Sequence, residues 1–319
     1  MRMSRLARPH RDHTRGPQPA SRTESEPVNQ KVKTTAELVC FARAAGALEQ
    51  DPAVRNPDDL AYELISWRYR MALLPGIRPL MEKVYDRLVP GMYLYHQTRT
   101  RHIDSLVSLE LAGTPAQFVI LGAGLDSRAY RMRELLHATQ VFEVDHPATA
   151  GWKQRRLRRW GGHYGHVTFV PVDFTTESLA ARLTASGFDF KLRTLFLFEG
   201  VTYYLTEATL RDTMAMLAQV APDSGLVFDF IDVDAIDHPA RFLGAQDFLP
   251  YAKRRGEPIR FGIAPGRVDA FLAQYGFDTI SMAPGPALQD RYLRLSDGTS
   301  RGHACDFFSI VHARKSTKG

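Results

Sequence analysis

The apolar positions of the chain change period once, near residue 116. Before it, Leu38, Phe41, Ala42, Ala45 and Leu48 recur at helical spacing, and Thr34-Thr35-Ala36-Glu37 in front of them reads as a capping box that would open a helix. Leu60 to Met71, Ile77 to Leu88 and Tyr93 to Leu111 keep the helical period, punctuated by Pro75, Pro79 and Pro90. After it come short apolar runs at Gln117 to Leu121, Val141 to Val144, Val167 to Val172, Leu195 to Phe198 and Leu226 to Ile231. Helical stretches such as Trp152 to Trp160 and Thr206 to Val220 separate them. Alternation of this kind predicts right-handed βαβ units on a parallel sheet, in a doubly wound α/β fold. Val268 to Tyr275 then reads as a helix stopped by Gly276, and Phe277 to Met282 with Phe307 to His312 as consecutive strands forming an antiparallel hairpin. The chain thus divides into a tail over 1–33, a helical cap over 34–115 and an α/β domain over 116–319.

Composition narrows the picture. With 319 residues, 44% of them apolar, one large core is affordable, and no run approaches the ~18 unbroken apolar residues of a membrane span. No membrane partner is expected. The net charge of +6 is concentrated at the start, where Arg2, Arg5, Arg8, Arg11, Arg15 and Arg22 face only Asp12. The body is left nearly neutral, without the basic footprint that binds a phosphate backbone, so no nucleic-acid partner is expected either. That tail holds Pro9, Pro17, Pro19 and Pro27 and no apolar h-region, which reads as a disordered extension and not a secretory signal. Cys40 and Cys305, far apart and without further thiols, predict free buried side chains in a reducing, cytoplasmic setting.

Candidate chemistry gathers at the ends of the strands. Gly122-Ala123-Gly124 follows the first strand and precedes a helix, where missing Cβ atoms let backbone N–H groups approach a ligand. About 20 residues on, the second strand ends in Glu143-Val144-Asp145, either acid of which could accept from ribose hydroxyls. Asp173 ends the third strand, placed to receive an adenine amino group with Phe174 beside the ring, and Glu199 ends the fourth. Successive acids at one rim suit S-adenosyl-L-methionine, which presents hydroxyls, an adenine, an ammonium and a sulfonium. A dinucleotide would favour glycine at position 127, where this chain has Ser127. An NAD-dependent oxidoreductase and a non-catalytic S-adenosylmethionine-binding scaffold remain as alternatives. His163-x-x-His166 lacks companion ligands, so no metal is expected, and no G-x-S-x-G elbow marks a serine hydrolase.

Leu121-Gly122-Ala123-Gly124-Leu125-Asp126-Ser127-Arg128 with Phe142-Glu143-Val144-Asp145-His146-Pro147 resembles the leucine carboxyl methyltransferase family, nearest its bacterial branch with polyketide carboxyl O-methyltransferases. Arg99-Thr100, Ile103-Asp104, Pro171 to Phe174, Phe198-Glu199-Gly200, Tyr204-Leu205 and Phe261-Gly262-Ile263 extend the likeness over about residues 34 to 313. The resemblance implies a seven-stranded class I methyltransferase sheet with an antiparallel last strand and a helical N-terminal cap. It implies that Arg99 pairs with the cofactor carboxylate, that Gly122 and Gly124 form the cofactor loop with Gly122 lining the methionine portion, and that Asp145 binds the ribose. By the same correspondence Asp173 and Phe174 hold the adenine and Glu199 the methionine end. The implied partner is a small-molecule acceptor, a carboxylic acid such as a polyketide or other secondary metabolite. A carboxylate is already ionised near neutral pH and needs no general base, whereas a phenol would. Tyr203 and Tyr204, just past the fourth strand, are the candidates for the acceptor pocket, and Arg128 and Arg131 could either attract an anionic acceptor or form ordinary ion pairs.

Overall fold

Strand β1 (Gln117–Leu121) is buried at every residue and has a parallel partner on each side. The computed structural model describes residues 26–162, 164–173 and 176–317, with side chains from residue 35 onward. Helices α1 (Glu26–Ala47), α2 (Ala61–Leu64), α3 (Trp67–Ala72), α4 (Arg78–Leu88) and α5 (Met92–Ala112) precede β1. Then come α6 (Arg128–Arg131), β2 (Gln140–Asp145), α7 (Pro147–Trp160), β3 (Val167–Pro171), α8 (Leu179–Ala185), β4 (Thr194–Phe198), α9 (Glu207–Leu217) and β5 (Gly225–Ile231). The last third holds α10 (Val233–Asp237), α11 (Ala245–Arg254), α12 (Val268–Ala273), β6 (Phe277–Pro284), α13 (Gly285–Tyr292) and β7 (Phe308–Lys315).

The strands form one sheet in the order β3-β2-β1-β4-β5-β7-β6, with β7 running antiparallel between β5 and β6. Alternation along β1 divides the core. Phe118 and Ile120 pack with residues of α1, α5, α7 and α11 on one face, while Val119 and Leu121 join residues of α8, α9 and α12 on the other. Because β2 and β4 lie on opposite sides of β1, the chain reverses its winding there, and a crevice opens at the carboxyl ends of β1 and β4.

The strand positions match those read from the sequence, with three local differences elsewhere. The capping box lies inside α1, which begins at Glu26, because Glu37 spends its carboxylate elsewhere, on Arg156 of α7 at 2.9 Å and on the Ser66 N–H at 2.5 Å. The stretch from Leu60 to Met71 is two helices, since Ile65 and Ser66 adopt extended backbone with ψ of 159° and 162°. Finally, β6 and β7 pair antiparallel as expected, but α13 interrupts the connection, so they are not a tight hairpin.

Helix α5 runs through the middle of the molecule. Sixteen of its 21 residues are buried, so its polar groups must find partners inside. Gln97 donates to the Ala42 carbonyl at 2.7 Å and accepts from Asn56 at 2.8 Å, and Glu110 is engaged by His312, Arg193 and Arg314. Anchored in this way, α5 carries Arg99 to the crevice. Cys40 and Cys305 are both free and buried.

Candidate active site

A cavity of about 260 Å³ occupies the crevice. Its floor is the turn after β1. Gly122 and Gly124 have φ of +66° and +44°, the left-handed region that side chains disfavour, and a Cβ on Gly122 would stand 2.4 Å from Val201 Cγ2. Asp145, at the end of β2, ties the loop down by accepting from the Gly124 N–H at 2.5 Å and the His146 N–H at 2.6 Å. Burial raises the Asp145 carboxyl from its ordinary value, and those two N–H groups draw it back.

Opposite the loop lies a buried charge network. Glu199, at the end of β4, is held between two guanidinium groups, Arg99 Nε at 2.9 Å and Arg128 Nη1 at 2.5 Å. Burial alone would raise its pKa, but Arg128, Arg99 and Arg43 overcome that and hold it down at about 2. Arg99 also pairs through Nη1 with Asp229 at 3.0 Å and donates to the Tyr203 hydroxyl at 3.4 Å. Asp229 accepts in turn from the Gly200 N–H at 2.7 Å and the Tyr95 hydroxyl at 3.1 Å. Arg99 Nη2 lies 3.6 Å from where a Cβ on Gly200 would stand, and both residues line the cavity. The guanidinium is thus presented to the cavity wall.

The far half of the cavity is aromatic. Tyr203 and Tyr204 stand 4.7 Å apart by ring centroid, Tyr203 is 5.5 Å from Phe308, and Tyr85 is 6.1 Å from the His96 ring. Burial raises both phenols, Tyr203 and Tyr204, so at neutral pH they offer O–H groups and do not act as bases. His96 is 5% exposed and its Nδ1 has no partner among the described residues. Burial, helped by Arg99 and Arg43, holds its pKa well below 6.5, so it stays neutral. Such a group stabilises the fold fully above the unfolded-state value and loses that contribution as pH falls below it. Relative to a His96→Leu variant, the wild type is expected to lose about 1.4 kcal/mol per pH unit below about pH 6.5. Urea titrations of both proteins at descending pH check this, and parallel curves would contradict it.

The residues singled out from the sequence divide clearly. Arg99, Gly122, Gly124, Asp145, Glu199, Tyr203 and Tyr204 all line this one cavity. Asp173 stands past the end of β3, where its N–H donates to Glu177 at 2.9 Å, and it is not among the lining residues. Phe174 lies outside the described residues, as does His163. Arg128 is fully buried and bound to Asp104, Asp126 and Glu199, while Arg131 pairs with Asp104, so both serve the internal network. Asp229 was missed because it sits in the apolar run of β5, although a lone acid in a buried strand was itself a signal.

Over residues 36–218 the chain matches the family described as leucine carboxyl methyltransferase. The chain belongs to that family. Among its relatives, the Bacillus subtilis (strain 168) protein YktD, provisionally named an S-adenosyl-L-methionine-dependent methyltransferase, is 35% identical over 180 residues, covering 56% of this chain and 59% of that protein. The chain thus spans less than two thirds of that relative. A Mycolicibacterium paratuberculosis (strain ATCC BAA-968 / K-10) protein with the same provisional name is 34% identical over 274 residues, covering 81% of this chain and 84% of its own. The fold recurs in a DUF574 family protein from Streptomyces avermitilis MA-4680, at TM-score 0.56 and 12% identity over 89% of this chain and 99% of that one. A provisionally named methyltransferase from Thermobifida fusca YX gives TM-score 0.54 at 13% identity, over 87% and 94%.

The cofactor of this leucine carboxyl methyltransferase family member is S-adenosyl-L-methionine, and the cavity fits it. Gly122 and Gly124 bring backbone without side chains to the cavity wall, where a Cβ on Gly124 would meet nothing nearer than 3.8 Å, and Asp145 presents a carboxylate at the same rim. Arg99 supplies a donor for an anionic group.

Proposed function

We propose that the protein transfers a methyl group from S-adenosyl-L-methionine to a carboxylate oxygen of a small apolar or aromatic acid, such as a polyketide or another secondary metabolite. When bound, the cofactor supplies an electrophilic methyl group on a positively charged sulfur. The chain's own contribution is to align the acceptor and to exclude water. Gly124 with Asp145 would hold the nucleoside portion, Gly122 would line the methionine portion, Arg99 would hold the carboxylate of that portion, and Glu199 would keep Arg99 in place. Asp173 and Phe174 remain the proposed adenine contacts. Tyr203 and Tyr204 would wall the acceptor chamber.

The observation that supports a carboxylate is the weakness as bases of the phenols and the imidazole there. The phenols of Tyr203 and Tyr204 are raised, and burial has made the His96 imidazole a poorer proton acceptor than usual. Neither phenol nor imidazole would take an acceptor's proton readily, which leaves the carboxylate of Glu257, raised by burial, as the base a phenol would need, while an acid arrives already ionised. Arg255, whose Nε and Nη2 donate to the Tyr251 hydroxyl at 3.2 and 3.0 Å, lines the same cavity and offers a cation for the acceptor.

Two measurements test this reading. Calorimetry should show uptake of S-adenosylhomocysteine, weakened by Asp145→Asn roughly tenfold to hundredfold, as loss of about 1–3 kcal/mol requires. Radiolabelled methyl transfer to a panel of carboxylic acids and matched phenols should give a product that releases methanol in alkali, as esters do and aryl ethers do not. Alkali-stable product from the phenols alone would overturn it.

A further inference from the structure

Among the described residues, eight of the fifteen exposed large apolar side chains fall between Tyr62 and Leu88. Single exposed apolar residues are ordinary, but a concentrated row calls for a partner. Ile77, just before α4, and Leu80, Val84 and Leu88 on it follow one another at helical spacing along the outer face, while Tyr85 and, just past the helix, Val89 turn inward and line the cavity. Trp67, 70% exposed, and Met71 on α3 are exposed as well, as is Leu74 just beyond it.

The exposed charges on α4 are basic apart from Asp86. Lys83 and Arg87 share the exposed side of α4 with Leu80 and Val84, and the Arg68 guanidinium lies 5.7 Å from the centre of the Trp67 ring. The acids of the segment are engaged elsewhere. Glu63 pairs with Arg70 at 3.1 Å, Glu82 with Arg301 at 3.1 Å and Arg78 at 3.7 Å, and Asp86 accepts from the Gly91 N–H at 2.9 Å. A two-fold pairing of this surface with a second copy would set basic groups against basic groups.

We infer that this face docks on an anionic lipid bilayer, with Trp67, Leu80 and Val84 entering the boundary between headgroups and acyl chains, and Arg68, Lys83 and Arg87 meeting lipid phosphates. No helix among the described residues is long and apolar enough to cross a membrane, so the contact is with one leaflet. The expectation of no membrane partner rested on the lack of a spanning run, which a lateral contact does not need. This surface is independent of the methyl-transfer reading, although it covers the outer side of the helix that walls the acceptor chamber.

The full chain should co-sediment with vesicles of equimolar phosphatidylglycerol and phosphatidylcholine, less so as salt is raised, and not with phosphatidylcholine alone. Leu80→Asp/Val84→Asp and, separately, Lys83→Glu/Arg87→Glu should each lower that partition at least roughly tenfold while keeping the wild-type urea midpoint. Both variants retain the arginine-rich tail. Equal partition of wild type and variants, as the tail acting alone would give, overturns the inference. So does absence of partition, or a concentration-dependent dimer that Leu80→Asp dissolves without any vesicle binding.

Discussion

Asp229→Ala is expected to destabilise the protein by about 3–5 kcal/mol, because it breaks a fully buried ion pair and leaves its partner's charge uncompensated. Asp229 is wholly buried, and its two oxygens serve the Gly200 N–H, the Tyr95 hydroxyl and Arg99. Without it, Arg99 retains only Glu199 as a counter-charge, while Glu199 must also serve Arg128. The Gly200 N–H, which helps to shape the turn after β4, loses its acceptor as well. Asp229→Asn keeps an oxygen for Gly200 and should fall between wild type and alanine. Urea unfolding at constant m value measures the difference, and a loss below about 1 kcal/mol would show that the network relaxes without this carboxylate. The solvent-facing pair Arg211 and Glu207, at 2.7 Å, provides the contrast, since its removal should leave no measurable change.

Gly122→Val should lower affinity for S-adenosylhomocysteine at least roughly hundredfold, the equivalent of about 2.7 kcal/mol. Two separate effects combine. The φ of +66° costs any L side chain about 1–2 kcal/mol of stability, and the new Cβ would stand 2.4 Å from Val201 Cγ2, so either the loop or Val201, both of which line the cavity, must shift. A cycle separates them. Gly122→Ala combined with Val201→Ala restores the space but leaves the backbone strain, so binding should recover in part while thermal stability does not. Unchanged affinity in Gly122→Val would mean that the cofactor does not rest on this turn.

Much of this molecule could be read from residue order because strands and glycine loops are local in sequence. The run Gln117 to Leu121 needs only its own side chains to announce a strand buried on both faces, and Gly122-Ala123-Gly124 needs only its position after that strand. Asp145 and Glu199 were found by the same rule, as acids at strand ends. Adjacency in space obeys no such rule. Whether Arg99 faces solvent or Glu199 depends on α5 threading the core, and Asp229 enters the site from a strand 130 residues away in the chain. Residue order leaves Arg128 open to two readings, an ordinary ion pair or a lure for an anionic acceptor, until Asp104, Asp126 and Glu199 close around it. The capping box at Thr34 failed for a related reason: a long-range partner for Glu37 outbid a local one. Residue order specified the strands, the loop and the acids at the rim, since these follow from short-range sterics and hydrophobic periodicity. Folding in three dimensions chose which charges neutralise each other and which donor stays beside the cavity, because burial forces every ion to take whatever opposite charge the packing brings within reach.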